Sequence, residues 1–386
     1  MYDINQQLDN TSSVLTDITD LTEQDEAKRN RLVTIQGVVD TYSAEGLSPD
    51  GVALLHCLLS DLRVGNCGLE SFGDDPRTGT KYVSDQIGLA IGEAEEDLSS
   101  SMESFFDVFK SFNSKALTWI DGARRDITNM QSELPRGGKA TVQVGGSLPD
   151  LEKSVASTAD LITYLVTGYR KEIDRTAEEL AEQVRKVFSN RANFGIAIRN
   201  MKKLKVNAPS GFDNARGHSH SSGPLFGGTT LVITLDGRDS EAQESKGAVV
   251  SEIEVTTESV LAASKKLMAA LNEVERFLKS RKGTEDAISR GSDRKNYLLA
   301  IPAAMGIVMT AIGGPIGSGS WAAILGVGIG LTAPEVRRRF QLIFEDDNQR
   351  ELVEELKAAA KTMDNSLVVA RRAVSDLLAA GKALKA

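Results

Sequence analysis

The chain has 386 residues, 41% hydrophobic and 26% charged, with a formal net charge of -9 and a pI near 5.2. This length accommodates two or three domains or one extended helical body, and the acidic balance argues against a general nucleic-acid binder. Two cysteines, Cys57 and Cys67, are too few for a disulfide framework, and residues 1–30 lack the basic start and apolar core of an export signal, so a reducing cytoplasm is the expected site of synthesis.

Residues 5–42 carry apolar side chains at helical spacing (Leu8, Leu15, Ile18, Leu21, Leu32, Ile35, Val39) in a polar background, which predicts a weakly packed helix pair. Nine acids and three bases give residues 1–45 a charge of -6, leaving the other 341 at -3. Residues 43–50 break the pattern, with Ser48 placed to cap the next helix and Pro49 at its first position. A loop at 63–80 and a long helix at about 81–130 follow. That helix bears an aromatic stripe, Phe105, Phe106, Phe109, Phe112 and Trp119, best read as helix-packing core.

Lys139–Val144 alternates and ends in Gly145-Gly146, and Thr229–Leu235 alternates between Gly228 and Asp236. These are two strand candidates that can pair across the intervening helix, whose apolar spacing runs from Leu151 to Val187. Residues 207–228 read as a Gly/Ser/Pro-rich loop, residues 250–281 as a helix and 282–293 as a polar linker. In the C-terminal helix, Val353, Leu356, Ala360, Met363, Leu367, Ala370, Val374 and Leu377 alternate steps of three and four, a coiled-coil-like seam.

Between the linker and that helix lies an uncharged run of 39 residues, Asn296–Pro334. Gly313, Pro315 and Gly317 split it into halves of 16 and 12 residues, Tyr297–Ile312 and Ser320–Leu331. A membrane-spanning helix needs about 20 residues, so the run reads as a helical hairpin turning at Gly313, Pro315 and Gly317. It is either buried in its own bundle or inserted into a membrane at some stage.

No catalytic, cofactor-binding or metal-binding set is expected. His56 sits in an apolar helix, and His218 and His220 share a loop without a third ligand. The glycines at 314–319 lack the following lysine of a phosphate loop, and those at 326–330 lack the spacing of a dinucleotide fingerprint. The basic group Arg199, Lys202, Lys203 and Lys205 reads as a solvated helix end.

Gly46-Leu47-Ser48, Leu69-Glu70-Ser71-Phe72, Arg77 and Trp119-Ile120 together resemble a pattern in internal head proteins of large tailed bacteriophages. The long helix of that family is often lysine-rich, whereas Glu93, Glu95, Glu96 and Asp97 make this one acidic, which argues for weak or absent nucleic-acid contact. The resemblance implies a non-enzymatic structural role in the capsid interior after synthesis in the host cytoplasm. It leaves ejection with the genome open. The implied partners are other head proteins or further copies through helix seams, a prohead protease, and a membrane transiently. Such proteases cut after Glu in a small-x-Glu context, which Ser43-Ala44-Glu45 followed by Gly46 matches. Cutting there changes the net charge from -9 to -3, because residues 1–45 carry -6.

The expected fold is mainly α: an elongated multi-helix bundle with a small two-stranded β element, a C-terminal hydrophobic helical hairpin and a long amphipathic helix. Its expected divisions are an acidic, removable region at 1–45, a helical core at 46–290, and the hairpin and last helix at 291–386. The alternative function is a bacterial membrane-active toxin or secreted effector that inserts the hairpin.

Overall fold

The computed structural model describes residues 2–41, 48–62, 76–145, 150–189, 194–216, 219–235, 239–244, 250–289 and 347–385. The protein is mainly helical, with a small two-stranded sheet and a long C-terminal helix. It divides into two compact units, one of residues 12–109 and one of residues 1–11 with 110–386. Helices α1 (Tyr2–Thr41) and α3 (Pro76–Glu133) contribute residues to both.

In the first unit, α1, α2 (Pro49–Asp61) and the front of α3 share a core of Leu32, Ile35, Val39, Leu55, Leu59, Val83, Ile87 and Ala94. Instead of the expected helix pair, α1 is one uninterrupted helix of 40 residues. No proline interrupts it, and Thr16, Thr19, Thr22 and Thr34 bond back to carbonyls four residues earlier rather than ending it. Leu15, Ile18, Thr22, Asp25, Arg29, Leu32, Gln36 and Val39 alternate steps of three and four along its inner face. Polar groups therefore interrupt the seam, and Arg29 is 5% exposed. Gln36 donates to Ser84 Oγ at 2.5 Å, and Ser84 donates to Asp40 at 2.9 Å. Ser48 caps α2 as expected, its Oγ accepting from the Gly51 N–H at 3.1 Å. The α3 aromatics Phe105, Phe106 and Phe109 are buried, with Phe105 stacked on Phe109 at 5.8 Å.

In the second unit, α4 (Leu151–Tyr164), a π-helical turn (Leu165–Tyr169) and α5 (Arg170–Ser189) run on without interruption. They pack with α7 (Thr257–Ser289) and α8 (Asp347–Ala383), while α6 (Phe194–Met201) lies against α5. All eight expected seam residues of α8 are buried. Phe112, Trp119 and Ile120 are buried in the back part of α3.

The sheets depart from expectation. Strand β1 (Lys139–Gly145) pairs antiparallel with β6 (Val250–Thr256), not with Thr229–Thr234. Residues 250–256 were expected to be helical, but Ile253 and Val255 face inward while Glu252 and Glu254 face solvent, the two-residue period of a strand. Helix α7 then starts at Thr257 with a reciprocal cap: Ser259 N–H donates to Thr256 Oγ1 at 3.1 Å and Thr256 N–H to Ser259 Oγ at 2.9 Å.

The stretch expected to be a loop at 207–228 supplies β2 (Asp213–Arg216) and β3 (Ser219–Leu225). With β4 (Thr229–Thr234) and β5 (Asp239–Glu244) they form an antiparallel sheet in the order β2-β3-β4-β5. Glycine made this segment look irregular, yet Gly227 (φ +92°) and Gly228 (φ +67°) form the hairpin turn that joins β3 to β4. The sheet lies on α8, where Thr362 Oγ1 donates to Ser240 Oγ at 2.8 Å and Lys361 pairs with Asp239 at 2.6 Å.

Candidate functional site

Glu45, Gly46, Gly313, Pro315, Gly317 and the whole run 296–334 lie outside the described residues. His218 does too, and His220 stands on β3 opposite Ile233. Among the described residues, no three His, Cys, Asp or Glu side chains are placed to hold a metal, and no helix is long and apolar enough to cross a membrane.

The structure instead gathers charge in the core of the second unit. Helix α7 carries an apolar seam of Leu267, Leu271, Val274 and Leu278, and its next position is Arg281, fully buried. A guanidinium nitrogen of Arg281 lies 2.5 Å from a carboxylate oxygen of Asp364 on α8. Two guanidinium groups lie over the Phe277 ring, Arg281 at 4.0 Å and Arg170 at 5.2 Å from its centroid. Arg170 pairs with Asp174 one turn along α5, at 3.7 Å.

Burial dominates the titration of this cluster. It pushes the Asp174 carboxyl up to about 6, against the opposing pull of Arg170. It raises Asp364 against the pull of Arg281, and lowers Arg170, which also feels repulsion from Arg281. The Arg281–Asp364 pair fixes α7 and α8 at one level, since sliding either helix leaves Arg281 buried without its counter-ion, whereas Arg170 and Asp174 both belong to α5 and reach α7 through the Phe277 ring.

The π turn positions Arg170. Its N–H reaches back five residues to the Leu165 carbonyl, and the wider turn rotates α5 relative to α4. Gly168 admits the turn: a Cβ there would lie 2.7 Å from the Tyr164 ring. Two tyrosines beside it fasten the segment that follows α6. Tyr169 OH donates to the Asn207 carbonyl at 3.1 Å, and Tyr164 OH accepts from Ser210 N–H at 3.1 Å and donates to Glu172 at 3.4 Å. The Val206 N–H donates to Glu355 of α8 at 3.2 Å. Between α5 and this segment opens a polar cleft of about 270 Å³, lined by Glu172, Ile173, Arg175, Thr176, Lys205 and Asn207.

The sequence reading missed this cluster, although a base continuing an apolar seam, as Arg281 does, was a legible sign. Compared with known protein families, curated proteins and solved structures, the chain finds no match.

Proposed function

We propose that this chain is a non-enzymatic structural protein of a phage head interior, working through association of helix faces. The observation that carries the reading is the open apolar surface of the three-helix unit. Val14, Leu21, Val38, Leu54, Leu58 and Leu89 are each 42–64% exposed. Helix α2 is apolar on two sides, with Leu55 and Leu59 buried in the core and Leu54 and Leu58 turned outward. A helix apolar all round is normally covered, and a head interior packed with further copies and other head proteins offers the cover. The resemblance at residues 46–120 supports the same reading.

Processing after Glu45 has a physical consequence on this view. It separates α1 from α2 and α3, and α1 supplies Leu32, Ile35 and Val39 to their shared core. Loss of α1 uncovers Leu55, Leu59, Val83 and Ile87, so departure of the cut segment adds a fresh apolar face to those already open. Peptide mass spectrometry of purified particles tests the proposal. The chain is expected in the particle, with its N-terminus at Gly46. Absence from particles refutes the role, and intact peptides spanning Glu45 and Gly46 as the main species refute the processing.

A further inference from the structure

We propose that the tip formed by the end of α5, α6 and the turn after it docks on an anionic lipid surface. Residues 183–212 hold seven Arg and Lys and no Asp or Glu, in a chain with 54 acids against 45 bases. Five of these bases, Lys186, Arg199, Lys202, Lys203 and Lys205, stand on α5, on α6 and in the segment after it, where α6 packs against α5 and Asn200 donates to Gln183 at 3.3 Å. Arg199, Lys202, Lys203 and Lys205 are exposed, and Lys186 is partly so, 3.7 Å from Glu182.

Bases alone would suit any polyanion, and Ile196 narrows the choice. It is 59% exposed, and it is the one large apolar side chain of the second unit so exposed among the described residues. Its spacing of three to Arg199 sets these two along one side of α6, and Lys202 and Lys203 follow directly in the turn that ends the helix. An apolar side chain flanked by long basic ones suits a bilayer interface: the isoleucine enters the acyl boundary while the lysines reach the phosphates. A phosphodiester backbone would have no use for the isoleucine. The inference does not depend on the head-interior proposal, since vesicle binding and presence in particles are separate measurements.

The test is sedimentation of the full chain with vesicles of phosphatidylglycerol and phosphatidylcholine in equal parts, against phosphatidylcholine alone. Binding is expected only to the anionic vesicles and is expected to weaken as salt is raised. Replacing Lys202, Lys203 and Lys205 together by Gln is expected to lower partitioning roughly a hundredfold, and Ile196→Gln about tenfold. Circular dichroism confirms that the variants fold. Equal binding to both vesicle types overturns the proposal, as does binding that the lysine and isoleucine variants leave unchanged. Patch-dependent binding of duplex DNA with no vesicle binding also overturns it, assigning the patch to nucleic acid.

Discussion

Arg281 and Asp364 meet at 2.5 Å inside the second unit, with the arginine fully buried and its guanidinium laid over Phe277. Removing Asp364 leaves the Arg281 charge buried alone, so Asp364→Ala is expected to destabilise by about 3–5 kcal/mol, and Arg281→Ala, which leaves a carboxylate 24% exposed, is expected to cost less. The double variant Arg281→Met with Asp364→Leu is expected to recover most of that loss. Urea denaturation of the four proteins measures both effects.

The Asp174 carboxyl, pushed up to about 6 from an ordinary 3.8, binds its proton more tightly in the folded than in the unfolded chain. Its contribution to stability is therefore full below pH 3.8 and is lost as pH rises toward 6. At 17% side-chain exposure, the shift amounts to about 3 kcal/mol at most. The measurement is the stability difference between the chain and Asp174→Asn at pH values across that window. The difference is expected to change with pH in that direction, whereas a difference independent of pH would refute the assignment.

Much of the helical fold was legible because its period is local. The α8 seam and the aromatic stripe of α3 were readable from spacing, and Ser48 announced the start of α2. The sheets were not, because strand pairing joins residues far apart and alternation does not name a partner. Lys139–Val144 has the strand period whether it pairs with Thr229 or with Thr256. The glycines and serines of 207–228 concealed two strands, because a tight hairpin and a loop draw on the same residue types. The buried ion cluster required knowing that α5, α7 and α8 meet, which only the tertiary packing reveals.

Gly227 is expected to tolerate no side chain. Its φ of +92° disfavours L-residues, and a Cβ would lie 2.8 Å from the α8 backbone at Arg372 and Ala373. Gly227→Ala is expected to destabilise by about 2–4 kcal/mol, combining strain at positive φ with overpacking of sheet against helix. A thermal melt measures the loss. Gly211→Ala, also at positive φ (+84°) but with open space around the Cβ, serves as the control and is expected to lose less.

The three-helix unit makes its own prediction. Leu32 is 0% exposed, so Leu32→Ala is expected to destabilise this unit by about 2–5 kcal/mol. Hydrogen exchange of amides in α2 and the front of α3 is expected to accelerate, because their core includes Leu32.

Arg371 donates to Asn5 Oδ1 at 2.9 Å and to Asp9 Oδ1 at 2.6 Å, so the second unit joins residues separated by most of the chain. Residues 12–109 form a contiguous stretch that can close while translation continues, whereas Asn5 and Asp9 must wait until Arg371 has left the ribosome. During that interval Asn5 and Asp9 at the front of α1 have no partner from α8. The order of synthesis thus leaves the front of α1 without these contacts until the last helix has been made.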